Sequence, residues 1–226
     1  MKAFIIYVPF KKSIEYANSA LKSFNGYTGW EPELFEGVTI NTLPKYNKLY
    51  DLKTKKPSRV ETMDPLRYST KKACALNHYR LFKQCVEFDE PIAIIEHDSH
   101  CIGNWEDASF DDILVLNSIS ATDQKVLRNT RTENLSTLKD GVHDIKFDMV
   151  YRYDPSLGTP NMMPGTAAYA VTPQGARKMI DVYETIGWEQ SDHIINTAFV
   201  RIQTLVPELF TFKLPNLEMS HGRNMI

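Results

Sequence analysis

Five residues with reactive or coordinating side chains follow one another at Glu96, His97, Asp98, Ser99 and His100, directly after the apolar run Ile92-Ala93-Ile94-Ile95. Asp98 offers a hard carboxylate oxygen and His100 an imidazole. Two residues apart in extended backbone they point to one side, so both can reach one divalent ion. The plainer account of Asp-x-His is a polar strand end, its carboxylate solvated or capping the next element. A second group, Glu189, Ser191, Asp192 and His193, precedes the apolar pair Ile194-Ile195. Asp192 reads as the N-cap of a helix starting at His193. His221, in the run SHGRN, is a further imidazole close to the last residue.

The elements around these residues read as alternating strands and helices. Ile92–Ile95 is a continuous, mostly β-branched run, the pattern of a strand buried on both faces, and ligands in open α/β sheets bind beyond the carboxyl ends of such strands. Ala3–Val8 reads as a first strand, Lys12–Phe24 as a helix with Gly26 just past its end, and Leu34–Thr39 as a second strand. A long helix is expected from an N-cap at Ser69 to about Phe88, with Leu76, Tyr79, Phe82 and Val86 as its buried stripe and His78 upon it. Ile113–Leu116 reads as another buried strand. Thr166–Val171 follows as a small-residue strand, then a helix capped by Thr172, opened by Pro173 and ended before Gly187. Gln203–Val206 and Phe210–Leu214 are further candidate strands.

The 226 residues carry a net charge of −2, with 42% hydrophobic and 24% charged residues, an ordinary soluble composition with no global bias toward nucleic acid or membrane. Three cysteines, Cys74, Cys85 and Cys101, make no disulfide framework and fit a reducing compartment. Met1–Val8 is too short for a signal-peptide core and no stretch has transmembrane length, so the expected location is cytoplasmic. Local charge is another matter. Between Pro44 and Lys72, Lys45, Lys48, Lys53, Lys55, Lys56, Arg59, Arg67, Lys71 and Lys72 outnumber Asp51, Glu61 and Asp64, with Tyr46, Tyr50 and Tyr68 interleaved. This reads as a solvated loop or as a mobile basic lid that meets phosphates. Ser118–Pro164 is polar and aperiodic, the profile of a substrate-shaping segment.

Three runs carry a resemblance. ACALNHYRLFKQCVEFDEPIAIIEHD, at Ala73–Asp98, resembles the central motif of glycosyltransferase family 25, the lipopolysaccharide-type and collagen-type galactosyltransferases, in which a Cys-x-Leu-Ser-His helix leads into a strand ending in Glu-Asp-Asp. GTAAYAVTPQGARKMID, at Gly165–Asp181, is similar to that family's Gly-Thr-x-Ala-Tyr strand and following helix, and the opening strand with LFEGVT resembles its first elements. Asn77 stands where the family has Ser, His97 replaces the middle Asp, and the Asp-Arg-rich signature after the first strand is missing. Asp98-Ser99-His100 also resembles the Asp-x-His metal motif of polypeptide GalNAc-transferases.

The resemblance implies an α/β, GT-A nucleotide-sugar-binding (Rossmann-like) fold: a mixed sheet flanked by helices in one domain over residues 1–226, with a basic insertion at about 44–72 and an acceptor-side variable region at about 118–164. It implies a hexosyl- or pentosyltransferase that uses a UDP-sugar and Mn²⁺ (or Mg²⁺), with Asp98, His100 and His221 as metal ligands. Tyr7, Val8, His78, Glu96, Asp98, Gly165 and Thr166 would line the donor site, and Asp192 and Glu96 would be the catalytic carboxylates. The acceptor is either a glycan such as lipopolysaccharide or a hydroxylated DNA base reached through the basic segment, in which case affinity would fall with salt and the base would be extruded. A non-catalytic nucleotide-sugar or glycan-binding module is the alternative that His97 keeps open. A metal-dependent hydrolase is weaker, since no second carboxylate cluster accompanies Asp98. Oligomeric state is not legible.

Overall fold

The computed structural model describes residues 1–117, 138–144, 150–163 and 165–212. Its elements in order are β1 (Lys2–Tyr7), α1 (Lys11–Ser23), β2 (Glu31–Glu36), α2 (Leu43–Tyr50), α3 (Pro65–Phe88), β3 (Ile92–Glu96), β4 (Ser99–Cys101), β5 (Ile113–Val115), β6 (Gly141–Asp144), β7 (Ala168–Val171), α4 (Pro173–Asp181), α5 (Ser191–Ile194), β8 (Ile202–Val206) and β9 (Phe210–Phe212). Seven strands form one mixed sheet in the order β2-β1-β3-β7-β5-β8-β6, and β4 pairs with β9 in a separate ribbon. β1 runs parallel to both β2 and β3, whereas β7 is antiparallel to β3 and β5.

The apolar run at Ile92–Ile95 is fully buried because the sheet is covered on both sides. Alternation sends Phe4, Ile6, Ile92 and Ile94 to one face, where they pack under α3 with Leu76, Tyr79 and Phe82. Ala3, Ile5, Ala93 and Ile95 go to the other, against Ala17, Ala20 and Phe24 at α1 and Phe210 of the ribbon. The expected layout, a mixed α/β sheet flanked by helices, is the observed one. Among the described residues no helix is long and apolar enough to cross a membrane.

Several expectations need correction. α3 begins at Pro65, not after Ser69: Asp64 Oδ1 accepts from the Arg67 N–H (3.0 Å) and Pro65 takes the first helical position, while the Ser69 hydroxyl donates back to the Pro65 carbonyl (2.8 Å) from inside the helix. The basic segment 44–72 is folded against the core rather than forming a lid or a structureless loop. It contains most of α2, a 3₁₀ turn at Arg59–Thr62 and the first turns of α3, and Leu52 and Val60 are buried. Its tyrosines pack inward: Tyr50 meets Tyr79 edge-on at 5.2 Å and Tyr68 meets Trp188 at 5.1 Å. Lys55, counted among the phosphate-seeking cations, is 1% exposed and donates to Asp154 Oδ2 (2.6 Å) and the Pro57 carbonyl (3.1 Å). The variable region 118–164, expected to lack regular structure, contributes β6 to the edge of the sheet and buries Tyr151, Met162 and Met163. The helix after Thr172 stops at Asp181 and continues as a π turn, Val182–Ile186, before Gly187.

Candidate active site

The carboxyl ends of β2, β1 and β3 lie side by side with the entry to β7, and the polar residues read from sequence collect there. The Gly37 N–H donates to the Tyr7 carbonyl (2.7 Å) and the Glu96 N–H to the Ala167 carbonyl (2.8 Å), closing the row Glu36, Tyr7, Glu96 and Thr166. The Val8 N–H is taken by the Ser13 hydroxyl (3.0 Å). The Tyr7 hydroxyl donates to Glu36 Oε2 (3.3 Å). Gly165 adopts φ +96°, the left-handed region that glycine enters without strain, and this turn leads Thr166 into the site. There the Thr166 hydroxyl donates to Glu96 Oε1 (2.5 Å), so two of the sequence motifs meet in one hydrogen bond.

α3 supplies the floor. Asn77, at the family's Ser position, accepts the Val38 N–H on its Oδ1 (2.6 Å) and leaves no room for a side chain at Gly37, where a Cβ would lie 2.9 Å from Asn77 Nδ2 and 3.0 Å from the Tyr7 carbonyl oxygen. The larger amide therefore fixes the loop after β2. His78 is 2% exposed, with Nδ1 2.8 Å from the Tyr169 hydroxyl and Nε2 3.9 Å from Glu96 Oε1. Burial pushes its pKa below the ordinary histidine value, outweighing the opposing charges of Glu96 and Asp192, so the pair is a neutral imidazole beside a carboxylate and not an ion pair. A carboxylate only accepts; the tautomer that suits both neighbours carries its proton on Nε2 and accepts from Tyr169 on Nδ1. Cys74, one turn before His78, is exposed, yet the protein crowding it and the charge of Glu96 push its thiol up to about 11.

Asp192 lies in the first turn of α5, so it is not the N-cap; Gln190 holds that position. It is half-buried and its Oδ1 accepts from Gln190 Nε2 (2.7 Å). Its charge acts on both His78 and Cys74, as does that of Glu96. Behind it, the fully buried Glu189 accepts from the N–H groups of Arg59 (3.1 Å) and Gln190 (2.9 Å) and from the Tyr151 hydroxyl (3.4 Å).

The residues expected to hold a metal do not form one cluster among the described residues. His97 and Asp98 form the turn between β3 and β4, and His100 is buried within β4. His97, at the family's middle Asp, turns toward α1 and stacks on Tyr16 (6.1 Å between centroids). Asp98 Oδ1 is buried and has no hydrogen-bond partner among the described residues, the condition in which a carboxylate oxygen suits a cation. Among the described residues no three His, Cys, Asp or Glu side chains are arranged to hold a metal, and His221 lies outside them.

Tyr169 was read as part of a small-residue strand and of the Gly-Thr-x-Ala-Tyr run, with no role of its own, and its pairing with His78 across 91 positions has no local signal. The two buried histidines give a pH dependence. The pKa values of His78 and His193 are both lowered by burial, so the unfolded chain takes up their protons first as pH falls below about 6.5. Stability is full above that value and declines below it, by at most about 1.4 kcal/mol per pH unit per histidine. Urea midpoints measured at neutral and mildly acidic pH should fall on acidification, and the slope should lessen in His78→Asn; identical midpoints would mean both rings are solvated.

The family glycosyltransferase family 25 (LPS biosynthesis protein) matches residues 10–195. Among solved structures, the crystal structure of mouse xyloside xylosyltransferase 1, apo form, is similar at 9% identity and a TM-score of 0.39, covering 86% of this chain and 80% of that one. No curated protein matches. With a match spanning most of its length, including the Glu96, His78 and Thr166 motifs and Asp192, the chain belongs to glycosyltransferase family 25.

Proposed function

We propose that this glycosyltransferase moves a sugar from a UDP-sugar to a hydroxyl of a glycan, with Mn²⁺ or Mg²⁺ at the diphosphate. The observation that carries the reading is the junction of Glu96 and Thr166 beside His78 at the carboxyl end of the central strand, where open α/β sheets bind their ligands. The Glu96 side chain is 40% exposed, and the donor hydroxyls would meet its carboxylate. Tyr7, Val8 and Gly165 would bound the donor from β1 and the turn before β7. Neutral His78 would lie beside Glu96 without cancelling its charge.

Asp98 and His100, with His221, would hold the cation, and the orphaned oxygen of Asp98 supports that assignment. Such an ion neutralises the charge that develops on a departing diphosphate. Asp192 would take the acceptor's proton as its oxygen attacks the anomeric carbon, while the bond from that carbon to the diphosphate oxygen breaks and its electron pair leaves with UDP. A glycan suits the cleft better than a DNA base, because Tyr46, Tyr50 and Tyr68 are engaged in packing and Lys55 is paired inside. A panel of nucleotide sugars with Mn²⁺ tests the reading: at least one UDP-sugar should release UDP, more slowly in Glu96→Gln. Silence across the whole panel, with and without added glycans, would reject it.

A further inference from the structure

Beside Asp192 stands a second group of side chains that the donor site does not use. Tyr153 is 45% exposed, and its ring stacks on His193, the residue after Asp192, with centroids 6.1 Å apart and planes 16° from parallel. His193 is 3% exposed, its Nδ1 is buried without a hydrogen-bond partner among the described residues, and the buried ring of Tyr151 closes on it edge-on at 6.1 Å. The Tyr151 hydroxyl is held in turn by Glu189. An exposed aromatic ring is thus backed by two buried rings, an orientation that costs little further entropy when something flat lands on it. The Arg59 guanidinium lies 6.0 Å from the Tyr153 centroid, and its main chain is anchored to Glu189. Lys71, on α3, is half-buried and acts electrostatically on both His193 and Cys74. Among the described residues neither Arg59 nor Lys71 is in an ion pair.

We propose that Tyr153, backed by His193, is the stacking platform of the acceptor subsite, and that Arg59 and Lys71 select an acceptor sugar bearing a carboxylate or a phosphate. The inference rests on the transferase reading with Asp192 as base, and it adds the class of acceptor. One exposed ring and two unpaired cations match one sugar and one anion; a nucleic acid strand draws its affinity from many phosphates.

The test is a ligand-observed NMR titration of the whole chain, with UDP and Mg²⁺ present, using methyl glucuronide, glucose 6-phosphate and the neutral methyl glucoside. One or both anionic sugars should bind about tenfold or more tightly than the neutral one, the two arms telling carboxylate from phosphate. Tyr153→Ala should abolish this binding and Tyr153→Phe keep it, with UDP binding retained in each as the check on folding. Arg59→Gln with Lys71→Gln should bring the anionic sugars down to the neutral level. Equal affinity for charged and neutral sugars, or binding that survives Tyr153→Ala, overturns the subsite. UDP binding with no sugar binding overturns it while the transferase reading stands; absence of UDP binding as well overturns both. A short DNA duplex that displaces the sugars with steep salt dependence overturns the choice of a glycan.

Discussion

Asp192→Asn is expected to slow sugar transfer by about 10²–10⁴-fold, the usual contribution of a positioned general base, while leaving UDP affinity unchanged. The substitution keeps the shape of the side chain and the oxygen that accepts from Gln190, so α5 should not move. It removes the negative charge and with it the capacity to take up a proton. A carboxylate in the first turn of a helix also favours that helix, by about 0.3–1 kcal/mol. If that were its whole role, the variant would lose a little stability and keep its rate, and single-turnover kinetics beside a urea titration separate the two.

Lys55→Met is expected to cost about 3–5 kcal/mol of stability, the range for breaking a buried ion pair by removing one partner. The Lys55 side chain is 1% exposed and that of Asp154 11%, so an unpaired carboxylate would be left with little water. The Lys55 hydrogen bond holds the Asp154 carboxyl below the usual range, with help from Ser156. Replacing both residues, Lys55→Met with Asp154→Leu, should recover most of the loss, because no charge then stays buried. The pair ties the 3₁₀ turn that carries Arg59 to the strand of chain that carries Tyr151 and Tyr153, so the single variant should also loosen the acceptor side. Urea midpoints of the two variants decide the matter. A single-variant loss below about 1 kcal/mol would mean that water reaches the pair freely.

What could be read in advance follows from how local each signal is. The β3 strand and its polar end were legible because four consecutive apolar residues between turn formers leave few other solutions. The start of α4 was legible as well: Thr172 Oγ1 accepts the Gly175 N–H (3.1 Å), and Pro173 stands at the first helical position. The start of α3 was misread because both Asp64-Pro65 and Ser69 are plausible starts, and tertiary packing of Tyr68 on Trp188 decides between them. Lys55 gave no sign of turning inward, since its partner lies 99 positions away in a segment with no periodicity. Of the candidate site, the motif residues Glu96, His78, Thr166 and Asp192 were named from sequence, whereas Tyr169 and Arg59 were seen only as part of a strand motif and of a basic segment, and Tyr153 not at all. Those three matter through what lies across the fold from them.

The central claim, a metal-dependent UDP site at the end of β3, is tested most directly by calorimetric titration of UDP with and without Mn²⁺, on the wild type and on Asp98→Ala. Binding that requires the ion and disappears in Asp98→Ala is the predicted result. UDP that fails to bind under either condition, or binds equally well without Mn²⁺ and in the variant, would contradict it and leave Asp98 as part of a turn.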